Sequence, residues 1–194
     1  MKTDIIIAGV GGQGILSIAA VIGLAAVNRQ LNIKQSEVHG MSQRGGAVYS
    51  HLRLNNQPIA SDLIPMGKAD LVLSVEPMEA LRYLPYLAPD GWVVSNTNPF
   101  INIGNYPDRQ ILMDELNALP NCVALYADAL ALECGNAKAS NMVMLGAAVP
   151  FLNMDVEEIE KAICSIFERK GEEVVATNIR ALKAGYDVAM KAKK

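Results

Sequence analysis

The stretch Asp4-Ile5-Ile6-Ile7-Ala8-Gly9-Val10-Gly11-Gly12-Gln13-Gly14-Ile15 decides the fold of this chain. The β-branched run at residues 4–8 is apolar without alternation, which predicts a central strand buried on both faces. Glycines end this run, and an apolar segment over roughly 14–28 predicts a buried helix. Its small residues, Gly23 among them, are expected to allow close approach to a sheet or another helix. Strand, glycine turn and helix form the first half of a βαβ unit.

The remaining sequence continues the alternation of strands and helices. Strands are expected near 33–38, 47–54, 69–75, 91–95 and 122–126, and helices after Pro77 and near 110–118, 128–134, 140–152, 155–169 and 172–191. Residues 57–61 are expected to pair as a hairpin with the strand at 47–54. We therefore predict a single α/β domain over residues 1–194. It is expected to have three layers, α/β/α, a mostly parallel, mixed central sheet and a Rossmann-like N-terminal βαβ unit.

A second glycine cluster is Glu37-Val38-His39-Gly40-Met41-Ser42-Gln43-Arg44-Gly45-Gly46. It holds a carboxylate, an imidazole, a hydroxyl, an amide and a guanidinium between two apolar segments, which is more than a plain turn requires. Arg44 can make bidentate bonds to a carboxylate or phosphate, and Gly45-Gly46 lets the backbone approach a ligand or subunit closely. The loop therefore indicates a ligand-binding or subunit-binding site. The alternative is a solvated loop whose arginine pairs with a local acid.

The pattern Gly9-x-Gly11-x-x-Gly14 formally matches the dinucleotide fingerprint, in which N–H groups at a helix N-terminus hold a phosphate. Glu37, 23 positions after Gly14, is a candidate for the acidic residue that this fingerprint needs near the end of the second strand. The extra glycine at position 12 and the polar loop after Glu37 count against it. A ligand contact, a structural or interface turn, and an NAD(P)- or FAD-binding domain all stay open at this point.

Two further polar residues lie where strands end or helices begin. Glu76 follows a buried strand and is a candidate either for a ligand contact or for capping the helix after Pro77. Asn141 opens an apolar helix and is a candidate cap. His39 is a candidate acid or base, but no second catalytic group is evident from the spacing, so no catalytic residue is predicted. The full set of candidate ligand- or interface-binding residues is Gly9, Gly11, Gly12, Gln13, Gly14, Glu37, His39, Gly40, Ser42, Gln43, Arg44, Gly45, Gly46, Glu76 and Asn141.

Composition narrows the classes of function. The net charge of −3 and the pI of about 5.4 argue against nucleic acid as a partner. No leader is visible and no apolar run reaches the ~20 residues of a membrane span, so we expect a cytoplasmic protein without membrane contact. Charged residues make up 19% of the chain, against roughly 25% on average. This low share indicates either a large core or a surface buried against a partner.

The chain has three cysteines, Cys122, Cys134 and Cys164, and no Cys-x-x-Cys pair. An Fe–S cluster needs about four thiolates, so this chain cannot hold one alone, and a zinc site is equally unsupported. Free, buried and reduced cysteines are therefore expected.

Four motifs together resemble one family. They are AGVGGQGIL at 8–16, EVHGMSQRGGAV at 37–48, ADLVLSVEPMEALR at 69–82 and NMVMLGA at 141–147. In this order they resemble the gamma-type subunit or domain of 2-oxoacid:ferredoxin oxidoreductases, and most of all the small (beta) subunits of indolepyruvate oxidoreductases. The second motif is specific to the family, whereas the first by itself is a common pattern.

The resemblance implies a division of labour between subunits. Family members oxidatively decarboxylate 2-oxoacids with coenzyme A, making acyl-CoA and CO2, and pass the electrons to ferredoxin. Thiamine diphosphate and the Fe–S clusters would lie on a larger partner subunit, so this chain would carry no cofactor and no metal and be inactive alone. Its loops at 9–14 and 39–46, on one edge of the sheet, would contact that subunit or help to close a coenzyme A channel. A free homodimer acting as a scaffold is the remaining alternative.

Overall fold

The computed structural model describes residues 1–40 and 45–193, and within them six strands form one sheet with helices on both faces. The strands are β1 (Lys2–Val10), β2 (Asn32–His39), β3 (Ala47–Asn55), β4 (Ala69–Ser74), β5 (Leu87–Asn96) and β6 (Cys122–Leu125). The helices are α1 (Ile15–Asn28), α2 (Pro77–Arg82), α3 (Arg109–Asn117), α4 (Ala127–Glu133), α5 (Ser140–Ala148), α6 (Val156–Phe167) and α7 (Glu172–Ala192). The predicted alternation of strands and helices is confirmed.

The sheet has the strand order β2-β3-β1-β4-β5-β6. β3 runs antiparallel to both of its neighbours, and the other pairs are parallel, so the predicted mixed sheet is confirmed. The hairpin predicted for residues 57–61 is wrong, because β3 already pairs with β2 on one side and β1 on the other. Arg53 holds that segment instead, donating from Nη1 to the carbonyl oxygens of Ser61 and Leu63, each at 3.0 Å.

Strand β1 forms the centre of the three layers. Successive strand residues point to opposite faces, so Ile5 and Ile7 enter a large core that includes residues of α1, α5, α6 and α7. Ile6 and Ala8 enter a smaller core that includes Ala80 of α2 and residues of α3. All four side chains are fully buried. The α/β/α layering predicted from the sequence is therefore confirmed.

Helices α5 and α7 pack with their backbones in close contact. A Cβ atom added at Gly146 would lie 1.9 Å from the carbonyl oxygen of Leu182, and one at Gly185 would lie 1.9 Å from that of Val143. No real side chain reaches such distances, so both positions require glycine. Gly23 in α1 differs, because an added Cβ would meet nothing within 4 Å. The close approach expected at Gly23 is therefore wrong.

Several smaller features follow from the same sequence. Asp155 and Glu158 form a reciprocal capping box at the start of α6, in which the N–H of Asp155 donates to Glu158 Oε2 at 2.8 Å. All three cysteines are free, but Cys164 is exposed and the other two are half-buried, so the expected burial is wrong. Burial raises the pKa of the Cys122 thiol to about 11. No helix in the described part of the chain is long and apolar enough to cross a membrane.

Candidate functional site

The two glycine-rich loops converge at one edge of the sheet. β1 and β2 run in the same direction because β3 lies antiparallel between them, so both end where β3 begins. The N–H of Gly11 donates to the carbonyl oxygen of Gly46 at 2.9 Å, and that of Gly40 donates to Ala47 at 3.0 Å. The expectation that both loops share an edge is confirmed. Three of the candidates, Ser42, Gln43 and Arg44, lie outside the described residues.

The glycines of the first loop differ in what they make possible. A Cβ at Gly9 would lie 2.3 Å from Cγ2 of Val75, so this glycine lets β1 and the end of β4 meet closely. Gly14 has a φ of 82°, and its Cβ would lie 2.4 Å from Nδ2 of Asn141. That amide donates to the carbonyl oxygen of Gly14 at 3.4 Å. The capping role considered for Asn141 is wrong, because Asn141 lies inside α5, whose N-cap is Ala139 and has no capping side chain. Gly12 has a φ of 101° but open space around it, so only its backbone conformation calls for glycine.

The side chain of Gln13 stabilises the same turn through two hydrogen bonds to the backbone. Its Oε1 accepts the N–H of Val10 at 2.8 Å, and its Nε2 donates to the carbonyl oxygen of Val75 at 3.4 Å. The side chain thereby joins the carboxyl ends of β1 and β4. Gly14, the N-cap of α1, brings no capping side chain, so the first turn of this 14-residue helix opens toward the edge of the sheet.

A pocket of about 720 Å³ lies between the two loops and the start of α1. It is lined by Val10, Gly11, Gly12, Gly14, Ile15, Leu16, Ser17, Glu37, His39, Gly40 and Val48. Its walls combine apolar side chains, glycine backbone and one carboxylate–imidazole pair. We call it the loop pocket. Six of the candidate residues, together with their neighbours, therefore line one concave surface, as a binding site requires.

Glu37 and His39 face each other across the rim of the loop pocket. Nε2 of His39 lies 2.5 Å from Oε1 of Glu37. This carboxylate oxygen is fully buried and has no aligned hydrogen-bond donor among the described residues, so the two side chains are in close contact without hydrogen-bond geometry. The imidazole is more than half exposed. The pair therefore joins a buried acceptor to a solvent-facing group that a ligand or a partner can reach.

Glu76 is fully buried and bonded through both carboxylate oxygens. Oε2 accepts the N–H of Glu79 at 2.9 Å, which confirms the predicted capping of α2. Oε1 accepts the N–H of Phe100 at 3.3 Å and the hydroxyl of Tyr106. Burial, together with the hydrogen bond to Glu76, raises the pKa of the Tyr106 hydroxyl. The hydrogen bonds that the structure describes for the Glu76 carboxylate all come from groups of this chain. The ligand role considered for Glu76 stays a prediction.

The segment 100–106, which we call the strap, was not singled out from the sequence. It follows β5 and exposes three large apolar side chains, Phe100, Ile101 (72% exposed) and Ile103. Between them, Nδ2 of Asn102 donates to the carbonyl oxygen of Gly45 at 2.6 Å. The strap therefore contacts the second glycine loop directly. The available signal was a pair of isoleucines in an irregular segment that follows a strand of the sheet.

The strand order does not support the dinucleotide-binding alternative. In that fold the second strand of the βαβ unit lies where its acidic residue can reach a ligand held at the first turn. Here β3 is inserted between β1 and β2, and Glu37 contacts His39. Among residues 1–40 and 45–193, no three His, Cys, Asp or Glu side chains form a group that could hold a metal ion. The cysteines present do not fit an Fe–S cluster.

Comparisons with known proteins agree with this geometry. The chain is 35% identical to the indolepyruvate oxidoreductase subunit IorB of Archaeoglobus fulgidus, over 98% of this chain and 96% of that protein. It is 36% identical to the subunit of the same name from Methanothermobacter thermautotrophicus, over 97% and 98% of the two chains. Both relatives are thus named as subunits of an oxidoreductase and match this chain nearly end to end.

A solved structure and a family model extend the match. The 2-oxoglutarate:ferredoxin oxidoreductase of Magnetococcus marinus, with 2-oxoglutarate, coenzyme A and succinyl-CoA bound, shares the fold at a TM-score of 0.77 and 21% identity. The alignment covers 98% of this chain but 31% of that one. The model of the pyruvate ferredoxin/flavodoxin oxidoreductase family matches residues 4–188. This chain therefore belongs to the pyruvate ferredoxin/flavodoxin oxidoreductase family.

Proposed function

We propose that this chain is the small subunit of an indolepyruvate:ferredoxin oxidoreductase. The observation that carries the proposal is its identity of 35–36% to two IorB subunits over at least 96% of each chain. The residues of this chain do not select the substrate, because the substrate pocket would lie on another chain. Indolepyruvate is chosen over other 2-oxoacids because the relatives that are 35–36% identical to this chain carry that name.

The proposed role is to complete the holoenzyme, not to supply its cofactors. The larger subunit would hold thiamine diphosphate, which stabilises the carbanion left by decarboxylation, and the Fe–S clusters that pass electrons to ferredoxin. The assembled enzyme would release CO2, acyl-CoA and reduced ferredoxin. This division is supported by the three cysteines of this chain, too few for a cluster. The free cysteines also favour a reducing, cytoplasmic setting.

We place the contact with the larger subunit at the edge that holds the two glycine loops. Apolar side chains are exposed there in an otherwise polar set of loops, Leu16 at the loop pocket and Ile101 and Ile103 on the strap. Clusters of exposed apolar residues with a polar rim are typical of protein interfaces. The loop pocket would lie in this contact and accept a group of the larger subunit or part of coenzyme A. A thermal shift of the isolated chain with coenzyme A would favour the second occupant.

The first test is an anaerobic pull-down of the tagged chain from its native cells. The eluate is assayed for viologen reduction with indolepyruvate, phenylpyruvate, pyruvate and 2-oxoglutarate, each with and without coenzyme A. We expect a larger partner that contains thiamine diphosphate and Fe–S clusters, with indolepyruvate as the best substrate. A complex that prefers another 2-oxoacid would correct the substrate alone. A chain that elutes as a homodimer without activity would overturn the subunit assignment.

Arg44 offers a second test of the same proposal. Arg44→Ala removes the guanidinium that the sequence predicts to bind a carboxylate or phosphate, and we expect impaired assembly or turnover of the holoenzyme with an unchanged melting temperature of the free chain. Arg169→Ala, on an exposed turn after α6, is the matched control. Equal assembly and turnover for both variants would contradict a binding role for Arg44.

A further inference from the structure

The strap is tied to the rest of the molecule at both of its ends by one carboxylate oxygen. Oε1 of Glu76 accepts the backbone N–H of Phe100 and the side-chain hydroxyl of Tyr106. The two donors are six residues apart, so their shared acceptor closes the strap into a loop. Glu76 is itself immobilised, because it is fully buried and its other oxygen caps α2. The two ends of the strap are thus anchored at the start of α2.

The middle of the strap is anchored to the second glycine loop. Asn102 donates to the carbonyl oxygen of Gly45 at 2.6 Å, and the N–H of Gly11 donates to Gly46 at 2.9 Å. Hydrogen bonds therefore run from α2, through Glu76 and the strap, to the convergent loops of the proposed interface. On either side of Asn102, Ile101 and Ile103 are exposed. A seven-residue segment without regular structure has few other contacts that could fix the direction of these side chains.

We propose that Glu76 is a positioning residue for subunit assembly. It holds the strap closed against Gly45, and Ile101 and Ile103 then meet the larger subunit as a preformed surface continuous with the glycine loops. Preorganisation strengthens binding because the free chain has already lost the conformational freedom of the segment. This inference rests on the proposed function and adds to it a surface, its anchor and the residues that make the contact.

The test is a competition for incorporation into the holoenzyme. Tagged wild-type chain and an untagged variant are produced in equal amounts together with the larger subunit, and their ratio in the purified complex is measured by mass spectrometry. Tyr106→Phe removes only the hydroxyl that binds Glu76, and Ile101→Ala truncates the contact itself. We expect each variant to be depleted about tenfold, as for an interface residue of moderate importance.

Matched controls separate positioning from a loss of stability. Tyr126→Phe removes a hydroxyl from a tyrosine half-exposed on the same edge that does not bond to Glu76, and Leu63→Ala truncates an apolar residue exposed on the segment that Arg53 holds. Both are expected to be incorporated like wild type. Holoenzyme made only with Tyr106→Phe should need more small subunit to reach half-maximal turnover, yet reach the wild-type maximum when that subunit is saturating. A merely less stable chain would show a lower melting temperature without this shift.

Each outcome decides the proposal. Depletion of Tyr106→Phe and Ile101→Ala, with both controls incorporated normally, supports it. Equal incorporation of all four variants overturns the positioning role of Glu76 and leaves the proposed function standing. Failure of the wild-type chain itself to enter a complex with the larger subunit overturns both.

Discussion

Glycines serve opposite purposes at the glycine loops and in the contact between α5 and α7. In the loops, Gly12 and Gly45 have φ angles of 101° and 78° with open space or a distant neighbour where a Cβ would lie. In the helices, Gly146 and Gly185 have ordinary helical backbone, but an added Cβ would overlap the facing helix at 1.9 Å. The first pair is required for backbone conformation at a surface, the second for packing in the core. Substitutions should therefore affect the two regions by different amounts.

Gly146→Ala is expected to have the largest effect on stability. The new methyl group would overlap the carbonyl of Leu182, so α5 and α7 must separate across a fully buried contact. We expect the free energy of unfolding to fall by about 4 kcal/mol or more, a large part of the total for a domain. Urea unfolding of the purified chain, or its loss from the soluble fraction, measures this. A wild-type midpoint would show that the helices can move apart at little cost.

The second largest expected effect is a pH dependence of folding stability, caused by a histidine buried between the layers. His51 is buried beside Tyr49 and Tyr86, and its Nδ1 accepts the N–H of Ile64 at 3.1 Å. Burial lowers its pKa, against the opposing effect of the nearby Asp62 carboxylate and with a smaller contribution from Arg53. The folded state therefore favours the neutral ring. Stability is retained above the ordinary pKa of about 6.5 and is lost as the pH falls below it.

His51→Gln tests this dependence, because glutamine keeps an acceptor for Ile64 but does not titrate. Between pH 8 and pH 5 we expect the unfolding free energy of the wild type to fall further than that of the variant. The difference is at most about 1.4 kcal/mol for each pH unit below 6.5. Urea unfolding at several pH values gives both curves. Parallel curves would show that His51 does not contribute.

Gly12→Ala should cost less than the helix substitution. The added methyl group meets no neighbour within 4 Å, so the cost is that of holding an L-residue at a φ of 101°, about 1–2 kcal/mol. Gly104→Ala on the strap is the control, since it too has open space but no positive φ. Thermal unfolding of both variants isolates the conformational cost. A loss of 4 kcal/mol at Gly12 would mean that the loop is packed more tightly than the geometry shows.

Gly23→Ala gives the smallest effect and the opposite sign. The position is inside α1, has no neighbour within 4 Å of an added Cβ, and has no positive φ. Alanine is favoured over glycine in helices by up to about 1 kcal/mol, so the melting temperature should rise slightly. A decrease would indicate that this face of α1 packs against a second molecule in solution, which size-exclusion chromatography would detect.

Much of the fold could be predicted because it depends on local patterns. Burial and periodicity can be read within a few residues at the run 4–8, at the glycine turn and at the apolar segment 14–28. The structure has β1 at the first of these segments and α1 at the last. The capping box of Asp155 and Glu158 is equally local, since it spans three positions in sequence. The convergence of the two glycine loops followed from the rule that parallel strands end at one edge of a sheet.

The errors concern choices that no local pattern encodes. Residues 57–61 resembled a hairpin partner, but a strand's place in a sheet depends on which other strands compete for its edges, and β2 and β1 occupy both edges of β3. The strap was missed because its anchor, Glu76, lies 30 positions from Tyr106 in sequence. Its irregular composition indicated only a loop.

The sequence by itself determined the alternation of strands and helices, the glycine turn, the low charge and the motifs that identify the family. The tertiary structure alone decided that β3 separates β1 from β2, that Gly146 and Gly185 must be glycine, and that Glu76 binds the strap at Phe100 while Asn102 binds Gly45. The physical reason is the separation in sequence over which each effect acts. Propensity and periodicity act between neighbours in sequence, whereas steric overlap and buried hydrogen bonds depend on which distant segments the packed core brings together.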